Sequence, residues 1–434
     1  MNSKKVTEFA EIITNTDLLT YLDSVAISTP TQVQSDCIPK LMGDGHFIVQ
    51  SHTGTGKTLG YLLPLISRLK ALENEEETLM KGSPKAVIVA PTRELANQVF
   101  AVLKAISHYA KLRVRKLVGG DKGKSLKSMF AMPMDVLVTT PDRCLRSFQN
   151  KELSSASLKY LILDEADQLL EPSFKTIMQQ IANALRLVDF QLFLVSATRP
   201  AHFTDTINAF FPGFTLQNVG DAEDNAFDTR FKIFNMYLEE SHKFSYVKDF
   251  LRKQKHRNGV IFTGSKARAK RLAEELLATE HQRVFLLHKD LEIEERVTVI
   301  EGFRKKGGIL IATDIFARGI DIPHLQWVLN FDLPSEPYYY LHRSGRVGRS
   351  GREGDVYNFI TSKDTERLER INQALTTQGR SDLRIVTNTK RLLSKKSPDP
   401  AKKASATKKS LSPQKPAGAR KKSGTKKKSS PKRK

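Results

Sequence analysis

The chain has 434 residues, 39% of them hydrophobic, which is enough for two or three domains with cores of their own. Its two cysteines, Cys37 and Cys144, exclude a disulfide framework and a cysteine-based zinc site. Apolar runs stay well short of the about 18 residues that a membrane span needs, and no secretory signal is visible, so we expect an intracellular protein. The net charge of +23 predicts an anionic partner, most often nucleic acid.

Short runs rich in Val, Ile, Leu and Phe alternate with helical patterns in the first half of the chain. The runs are nearly continuous, which is typical of strands buried on both faces of a parallel sheet. Helical stretches such as Thr58–Leu72 and Glu94–Tyr109 lie between several of them. The predicted strands are Phe47–Gln50, Ala86–Ala90, Val114–Val118, Val136–Thr139, Tyr160–Leu163 and Leu192–Val195.

A glycine-rich segment separates the first predicted strand from a helical pattern, the context that a phosphate-binding loop requires. Its backbone N–H groups and the following helix N-terminus would surround phosphate oxygens. Lys57 would reach the β- and γ-phosphates, and Thr58 would hold Mg²⁺. An ordinary glycine-rich turn is the alternative, since Ser51 replaces the first glycine of the usual pattern. The segment consists of Ser51, His52, Thr53, Gly54, Thr55, Gly56, Lys57 and Thr58.

An acidic tetrad, Asp164–Asp167, ends the predicted strand at Tyr160–Leu163. A buried strand that ends in two adjacent carboxylates suits an ATPase, with Asp164 near Mg²⁺ and Glu165 deprotonating the attacking water. The alternative is a helix N-terminus enriched in acids. The preceding phosphate loop favours the first interpretation.

The pattern of buried runs restarts after a polar, acidic segment that we interpret as a linker. We therefore predict two similar α/β domains over residues 1–218 and 231–375, a linker over 219–230, and a tail over 376–434. Such a pair of domains leaves a cleft in which the chemistry could lie. The second set of strands is Lys232–Leu238, Gly259–Thr263, Arg283–Leu287, Gly308–Thr313, Trp327–Phe331 and Val356–Ile360.

Four arginines lie within ten residues of the second domain: Arg343, Arg346, Arg349 and Arg352. One interpretation is a solvated basic helix start. The other is that an arginine reaches across the cleft to the γ-phosphate, where a planar cation stabilises the transition state. Hydrolysis would then require both domains to close.

The C-terminal tail carries most of the positive charge. Residues 390–434 contain 18 Lys and Arg but one acid, Asp399, and no aromatic residue. Such a segment cannot bury enough apolar surface to offset its chain entropy, so we predict a disordered basic tail. It acts either as a solubilising appendage or as a non-specific tether for phosphates.

Together these segments resemble the DEAD-box ATP-dependent RNA helicase family, which is named after the tetrad at Asp164–Asp167. The similarity covers about residues 7–365 and includes further family motifs in the expected order. They are Phe9 with Ile27–Gln34, Pro91–Ala96, Gly119–Gly120, Thr140–Arg143, Ser196–Thr198, Ile261–Thr263, Ala312–Asp314 and Ala317–Asp321.

The resemblance implies two tandem RecA-like domains that use ATP and Mg²⁺ and bind RNA with little sequence preference. Gln34 would bond the adenine edge, Ile27 would pack on its face beside Phe9, and Asp321 would hold the ribose. Arg346 and Arg349 would act on the γ-phosphate together with Lys57, Asp164 and Glu165. Ser196, Thr198, Asp167 and His342 would couple hydrolysis to unwinding. The implied RNA contacts are Pro91, Thr92, Arg93, Gly120, Thr140, Pro141, Arg143, Thr263, Thr313 and Arg318.

Several positions depart from the family pattern. Ser51 replaces Ala without an expected effect. Asp142 replaces Gly, where its side chain would crowd RNA and its charge would repel a phosphate. Lys289 replaces Gly, and Ile293 replaces the Gln that precedes Arg296 by three residues.

The resulting hypothesis is a monomeric RNA-dependent ATPase that remodels short RNA duplexes or RNA–protein complexes. An ATP-gated RNA clamp or annealing factor, and a DNA helicase or another P-loop ATPase, are the alternatives. The compact core resembles bacterial members that act in the cytoplasm in ribosome assembly or RNA turnover. In a nucleated cell the same tail predicts a nuclear or nucleolar protein.

The tail yields a direct test. A chain that ends at Thr389 should need several-fold more RNA for half-maximal ATPase activity, and its salt dependence should flatten, because fewer counterions are released. The control keeps the length of the tail but replaces its Lys and Arg with Gln. If both variants match the intact chain, the tail is a solubilising appendage.

Overall fold

The computed structural model describes the ranges 6–51, 55–73, 80–119, 128–199, 203–219, 231–254, 258–278, 283–288, 290–314, 325–348 and 353–377. The predicted linker lies outside them except at Val219, and so does the predicted tail beyond residue 377. In the described part of the chain, every helix is too short or too polar to cross a bilayer.

The first domain is built on a sheet of seven parallel strands in the order β3-β4-β2-β5-β6-β1-β7. Every predicted strand of this half is present to within a residue or two at its ends. The strands are β1 (His46–Gln50), β2 (Ala86–Val89), β3 (Val114–Leu117), β4 (Val136–Thr139), β5 (Tyr160–Asp164), β6 (Gln191–Ser196) and β7 (Leu216–Val219).

The strand sequences explain why this sheet is covered on both faces. Along β2, Ala86 and Ile88 enter one apolar cluster, while Val87 and Val89 enter the other. A strand that is apolar at every position must bury both of its faces, because successive side chains point in opposite directions. The continuous apolar runs therefore predict the parallel sheet correctly.

In the described part of the first domain, the helices given below flank the sheet, and capping side chains fix several of their ends. Thr92 Oγ1 accepts a hydrogen bond of 3.2 Å from the Leu95 N–H, which starts α4 at Arg93. The helices are α1 (Thr16–Ser24), α2 (Gln32–Leu41), α3 (Lys57–Leu72), α4 (Arg93–Ala110), α5 (Pro141–Gln149), α6 (Ala166–Leu169), α7 (Pro172–Ala184) and α8 (Phe203–Phe210).

The second domain repeats the architecture with six parallel strands in the order β10-β11-β9-β12-β13-β8. The strands are β8 (Phe231–Tyr237), β9 (Gly259–Thr263), β10 (Val284–Leu287), β11 (Ile309–Thr313), β12 (Trp327–Asn330) and β13 (Gly354–Ile360). The helices are α9 (Lys243–Lys253), α10 (Lys266–Leu277), α11 (Ile293–Lys306), α12 (Pro337–Ser344) and α13 (Thr365–Thr377). Short 3₁₀ turns occur at Phe9–Glu11, Glu240–His242 and Ser362–Asp364.

The edge strand β7 has no counterpart among the predicted strands. Two of its four residues are exposed, so its sequence LQNV contains no apolar run. It pairs with β1 along one side and ends at Val219, one residue past the expected domain boundary at 218. The boundary thus falls in a strand that pairs with β1 and buries Val219, while its two central residues stay exposed.

A close contact between two neighbouring strands marks the core of the second domain. Gly259 on β9 lies opposite Trp327 on β12, and Trp327 is fully buried. A Cβ atom at Gly259 would stand 2.0 Å from Cε2 of the indole. The ring cannot move away because other core side chains surround it, so this position requires glycine.

Gly259→Ala should therefore destabilise the protein by about 2 kcal/mol, because the new methyl group overpacks the core. Thermal unfolding of the intact chain measures the effect. Gly60→Ala on α3 is the matched control, since its Cβ would lie 3.8 Å from the nearest atoms. Equal melting temperatures for Gly259→Ala and the unaltered chain would contradict the packing argument.

Candidate active site

The strand order brings distant parts of the sequence to one edge of the first sheet. Gln50 at the end of β1 lies opposite Ser196 at the end of β6, and Asp164 at the end of β5 lies opposite Val195. Parallel strands expose their carboxyl ends on the same side, where ligands of open α/β sheets bind. The predicted phosphate loop, acidic tetrad and coupling motif therefore meet in space.

The described part of the phosphate loop has a closely packed backbone. Gly56 has a φ of 90° at the N-cap of α3, and a Cβ atom there would stand 2.5 Å from Nε2 of Gln34. The Ser51 and Thr55 hydroxyls lie 2.7 Å apart, and the buried Lys57 ammonium donates to the Ser51 carbonyl. Glycine is thus required at Gly56 for both conformation and space.

Gln34 connects the N-cap of α2 to this loop. Its Oε1 accepts from the Thr31 N–H at 2.9 Å, and its Nε2 donates to the Gly56 carbonyl at 3.1 Å. Thr31 Oγ1 in turn donates to the Thr55 carbonyl at 2.8 Å. The predicted bond from Gln34 to adenine would have to use the second N–H of Nε2, since an amide nitrogen has two.

Two further residues that the resemblance assigns to adenine recognition lie in this part of the domain. Phe9 is buried in the core of the first domain, and Ile27 packs against the same core. Their roles in nucleotide binding stay predictions, as do those of His52, Thr53, Gly54 and Asp321, which lie outside the described residues.

The acidic tetrad contains three buried carboxylates: Asp164, Glu165 and Asp167 are 4, 8 and 2% exposed. Glu165 has a φ of 50°, a left-handed backbone that few residues other than glycine adopt. Nε2 of the buried Gln168 donates to Glu165 Oε2 at 3.2 Å and so orients this side chain. An outlier of this kind at a strand end is typical of an active site.

Burial dominates the electrostatics of Asp164. Loss of water, and then the neighbouring Glu165 charge, raise the pKa of Asp164 to about 6, although Lys57 and the Tyr61 hydroxyl at 2.9 Å partly oppose this. Tyr61 follows Lys57 by one turn of α3 and was not identified from the sequence. A carboxylate held in this way favours a nearby cation.

Asp167 forms one of the contacts between the two domains. Its Oδ2 accepts from the Thr198 N–H at 3.0 Å, from the Thr198 hydroxyl at 2.5 Å and from His342 Nε2 at 3.2 Å. Ser196 Oγ donates to the Thr198 carbonyl at 2.6 Å. Burial would raise the pKa of Asp167, but His342 and Thr198 together lower it. The four residues predicted to couple hydrolysis to unwinding are therefore in one network.

Glu165, Asp167 and His342 each place one possible metal-ligand atom within 4.8 Å of the others. Hydrogen bonds from Thr198 and His342 already satisfy the buried Oδ2 of Asp167 without a metal ion. His342 Nδ1 lies 3.9 Å from Glu165 Oε2. One hydrogen bond, between His342 and Asp167, thus joins the domains here, and Glu165 lies close to it.

The arginine cluster is buried where it is described, so the interpretation as a solvated helix start is wrong for this part. Arg343 and Arg346 are 2 and 6% exposed. Arg343 donates to both oxygens of Asp314, at 2.5 and 2.7 Å, and to Asn330 Oδ1 at 2.9 Å. These bonds give Arg343 a structural role that its sequence did not reveal. Arg346 Nε donates to the His342 carbonyl at 3.2 Å, while Arg349 and Arg352 lie outside the described residues.

The predicted RNA contacts of the first domain occupy the other half of the same sheet edge. Pro91, Thr92 and Arg93 follow β2, while Thr140, Pro141 and Arg143 follow its neighbour β4. Because β2 lies beside β5, the two predicted sites adjoin along a single edge.

In the second domain, Thr263 and Thr313 are register partners at the ends of β9 and β11. The ion pair of Arg296 Nη1 with Glu94 Oε1, 3.6 Å apart, joins the domains beside Arg93. Gly120, Arg318 and Lys289 lie outside the described residues.

Asp142 forms an exposed ion pair with Arg146, 3.1 Å away on the next turn of α5. Its charge is thus partly balanced within the helix, which weakens the repulsion expected for a phosphate. Ile293 starts α11 after the capping residue Glu292.

Comparison with known proteins gives matches over both domains. The family model described as DEAD/DEAH box helicase matches residues 31–206, and the one described as helicase conserved C-terminal domain matches residues 242–351. The chain is 33% identical over 353 residues to the ATP-dependent RNA helicase eIF4A of Candida albicans, covering 81% of this chain and 86% of that protein.

Two further matches extend this result. The ATP-dependent rRNA helicase RRP3 of Ajellomyces capsulatus is 32% identical, over 81% of this chain and 71% of that protein. The solved structure of S. cerevisiae Dbp5 bound to RNA and ADP BeF3 superposes with a TM-score of 0.75 at 26% identity, covering 90% of this chain and 98% of that chain. The predicted fold of two tandem RecA-like domains is confirmed.

The raised pKa of Asp164 yields a prediction for stability. From its ordinary value of 3.8 up to about 6, the folded protein without nucleotide retains a proton that the unfolded chain releases, so the free energy of unfolding falls as pH rises through this window. Asp164→Asn should then be more stable than the unaltered chain at pH 7.5, by about 2 kcal/mol.

Urea unfolding at pH 7.5 and pH 5 measures this difference, which should shrink at the lower pH. Asp142→Asn is the control, because Asp142 is exposed and should change stability by less than about 0.5 kcal/mol. A destabilised Asp164→Asn at pH 7.5 would contradict the inferred cost of burying this charge.

Proposed function

The chain belongs to the DEAD/DEAH-box helicase family and is an ATP-dependent RNA helicase, and we propose that it hydrolyses ATP at a site completed by residues of both domains. The observation that carries the proposal is the Asp167 carboxylate, which accepts hydrogen bonds from Thr198 of the first domain and His342 of the second. A shift of either domain would break this network. Hydrolysis is thereby tied to the relative position of the two domains.

Glu165 is the proposed general base. It is buried, its backbone is fixed in the left-handed region, and Gln168 holds one carboxylate oxygen. A base must be oriented towards the water that it deprotonates, and these three constraints restrict its rotation. Lys57 would bind the phosphates, and Arg346 would stabilise negative charge that develops on the γ-phosphate.

Thr58 and Asp164 are the residues that would hold Mg²⁺. The donor set fits, because a hydroxyl and a carboxylate are hard oxygen ligands, and the burial of Asp164 beside Glu165 leaves negative charge that a cation would offset. When bound, Mg²⁺ would neutralise charge on the phosphates.

The RNA contacts are proposed to involve phosphates and 2′-hydroxyls rather than base edges. The residues that would make them include arginines such as Arg93 and Arg143. Short polar side chains and backbone N–H groups at strand ends and helix N-termini would add to these, as at Thr92, Thr140 and Thr313. Such groups position a strand without reading its sequence.

For the cellular role we propose RNA–protein complexes that contain ribosomal RNA. The rRNA helicase named among the relatives supports this choice over RNA turnover. Crosslinking the protein to RNA in its own cells and sequencing the fragments tests it. Imaging the tagged chain in the same cells distinguishes cytoplasmic from nuclear or nucleolar residence.

Glu165→Gln should bind ATP and RNA normally but lower the RNA-stimulated kcat by about 10²-fold or more, because proton transfer to the base is lost. Arg346→Ala should show a similar loss with little change in the KM for ATP. Lys248→Ala, on the surface of α9, is the control. Wild-type turnover in either active-site variant would remove that residue from the mechanism.

Displacement of a short RNA duplex in the presence of ATP separates a helicase from an ATP-gated clamp. Strand release should require hydrolysis in the unaltered chain and be absent in Glu165→Gln. ATPase activity should respond to RNA more strongly than to DNA of the same sequence. Equal stimulation by both would favour a less selective P-loop ATPase.

A further inference from the structure

A second hydrogen bond joins the two domains one helical turn away from the Asp167–His342 contact. The Tyr339 hydroxyl donates to Glu171 Oε2 at 2.6 Å. Glu171 is 4% exposed and links α6 to α7, where its side chain does not cap the following helix. The length is that of a strong hydrogen bond between a hydroxyl and a carboxylate.

The two contacts form a matched pair. Asp167 and Glu171 are four residues apart in the first domain, and His342 and Tyr339 are three residues apart on α12. Residues at this spacing lie on one face of a helix, so one side of α12 is fixed at two points.

Two points of contact restrict the orientation of α12 relative to the first domain more than one contact does. If His342 were the only contact of α12 with the first domain, α12 and the sheet to which Arg343 binds it could still rotate together about that contact, and this rotation would displace the residues that follow His342. A second contact at Tyr339 removes this freedom. The residue most affected is Arg346, whose Nε donates to the His342 carbonyl at 3.2 Å.

The rest of α12 transmits the constraint because it is rigidly attached to its own sheet. Arg343 binds Asp314 at the end of β11 and Asn330 at the end of β12. Fixing α12 against the first domain therefore fixes the second sheet as well. The orientation of Arg346 follows from the contacts at both ends of the helix.

We propose that Tyr339 and Glu171 form a positioning pair that sets the rotation of α12 when the domains close on ATP and RNA, and thereby aims Arg346. This inference rests on the proposed function, in which Arg346 acts on the γ-phosphate. Neither residue is among those proposed to bind the nucleotide, so the pair acts through Arg346 and through the closed state. The hydroxyl, rather than the ring, is the group that matters.

Tyr339→Phe removes this hydroxyl and keeps the ring. It should lower the RNA-stimulated kcat and raise the RNA concentration for half-maximal ATPase, each by about tenfold, the effect of losing one charge-assisted hydrogen bond. The KM for ATP without RNA and the melting temperature should not change. Tyr246→Phe on α9 is the matched control, because this tyrosine is 40% exposed.

A double-mutant cycle tests whether the two residues act together. Glu171→Ala should reproduce the defect of Tyr339→Phe, and the double variant should be no worse than either single variant. Additive losses would mean that the residues act separately and would overturn the pairing.

Domain closure supplies a readout that does not depend on hydrolysis. The native Cys37 and Cys144 are 1 and 0% exposed, so their thiols should not react with dyes. Leu187→Cys and Leu277→Cys, at positions that are 99 and 63% exposed, then provide one labelling site in each domain. Energy transfer between the two dyes then reports domain closure. With AMP-PNP and a single-stranded RNA, Tyr339→Phe should lower the fraction of molecules in the state of high energy transfer. An unchanged fraction together with unchanged kcat would overturn the proposal.

These outcomes separate this inference from the proposed function. If the unaltered chain shows no RNA-stimulated ATPase, the proposed function fails. If the unaltered chain is active and Tyr339→Phe matches it in kcat and closure, only the positioning role of Tyr339 and Glu171 fails.

Discussion

The Asp167 carboxylate is the constraint on which the site depends. It is almost fully buried, and its charge is stabilised by hydrogen bonds from Thr198 in one domain and His342 in the other. A buried carboxylate that loses one donor keeps its full desolvation cost but has fewer hydrogen bonds to offset it. The arrangement of the two domains is therefore coupled to the strand ends that carry Asp164 and Glu165, where the nucleotide would be hydrolysed.

The order of strands in the first sheet explains how one domain serves two ligands. The strands β1, β6 and β5 lie side by side and carry the predicted nucleotide residues, while β2 and β4 continue the sheet and carry predicted RNA contacts. The predicted nucleotide and RNA sites thus adjoin along one edge of the sheet. Adjacent, fully buried strands, β5 and β2, lead to Asp164 and to the segment that carries Arg93.

Much of the fold and part of the site could be read from the sequence, for identifiable reasons. Continuous apolar runs specify strands buried on both faces, and the spacing of glycine, Lys57 and Thr58 specifies a loop before a helix. The edge strand at Leu216–Val219 carried no such signal, because its two central residues are polar and exposed and only its ends are apolar. The four arginines of the cluster look alike in the sequence, so it could not show that Arg343 in particular binds Asp314. Gln168 and Tyr61 likewise acquire their roles only through contacts that the fold creates.

The left-handed backbone at Glu165 has a consequence for the response of the enzyme to heat. Such a conformation costs on the order of 1–3 kcal/mol and persists only while the surrounding structure enforces it. The turn between β5 and α6 is enforced by buried neighbours such as Asp167 and Gln168, so a loosening of their packing on warming would release the strain and misorient Glu165 while both sheets stay folded. Turnover would then decline at temperatures where circular dichroism still reports a native protein, and cooling would restore it without refolding.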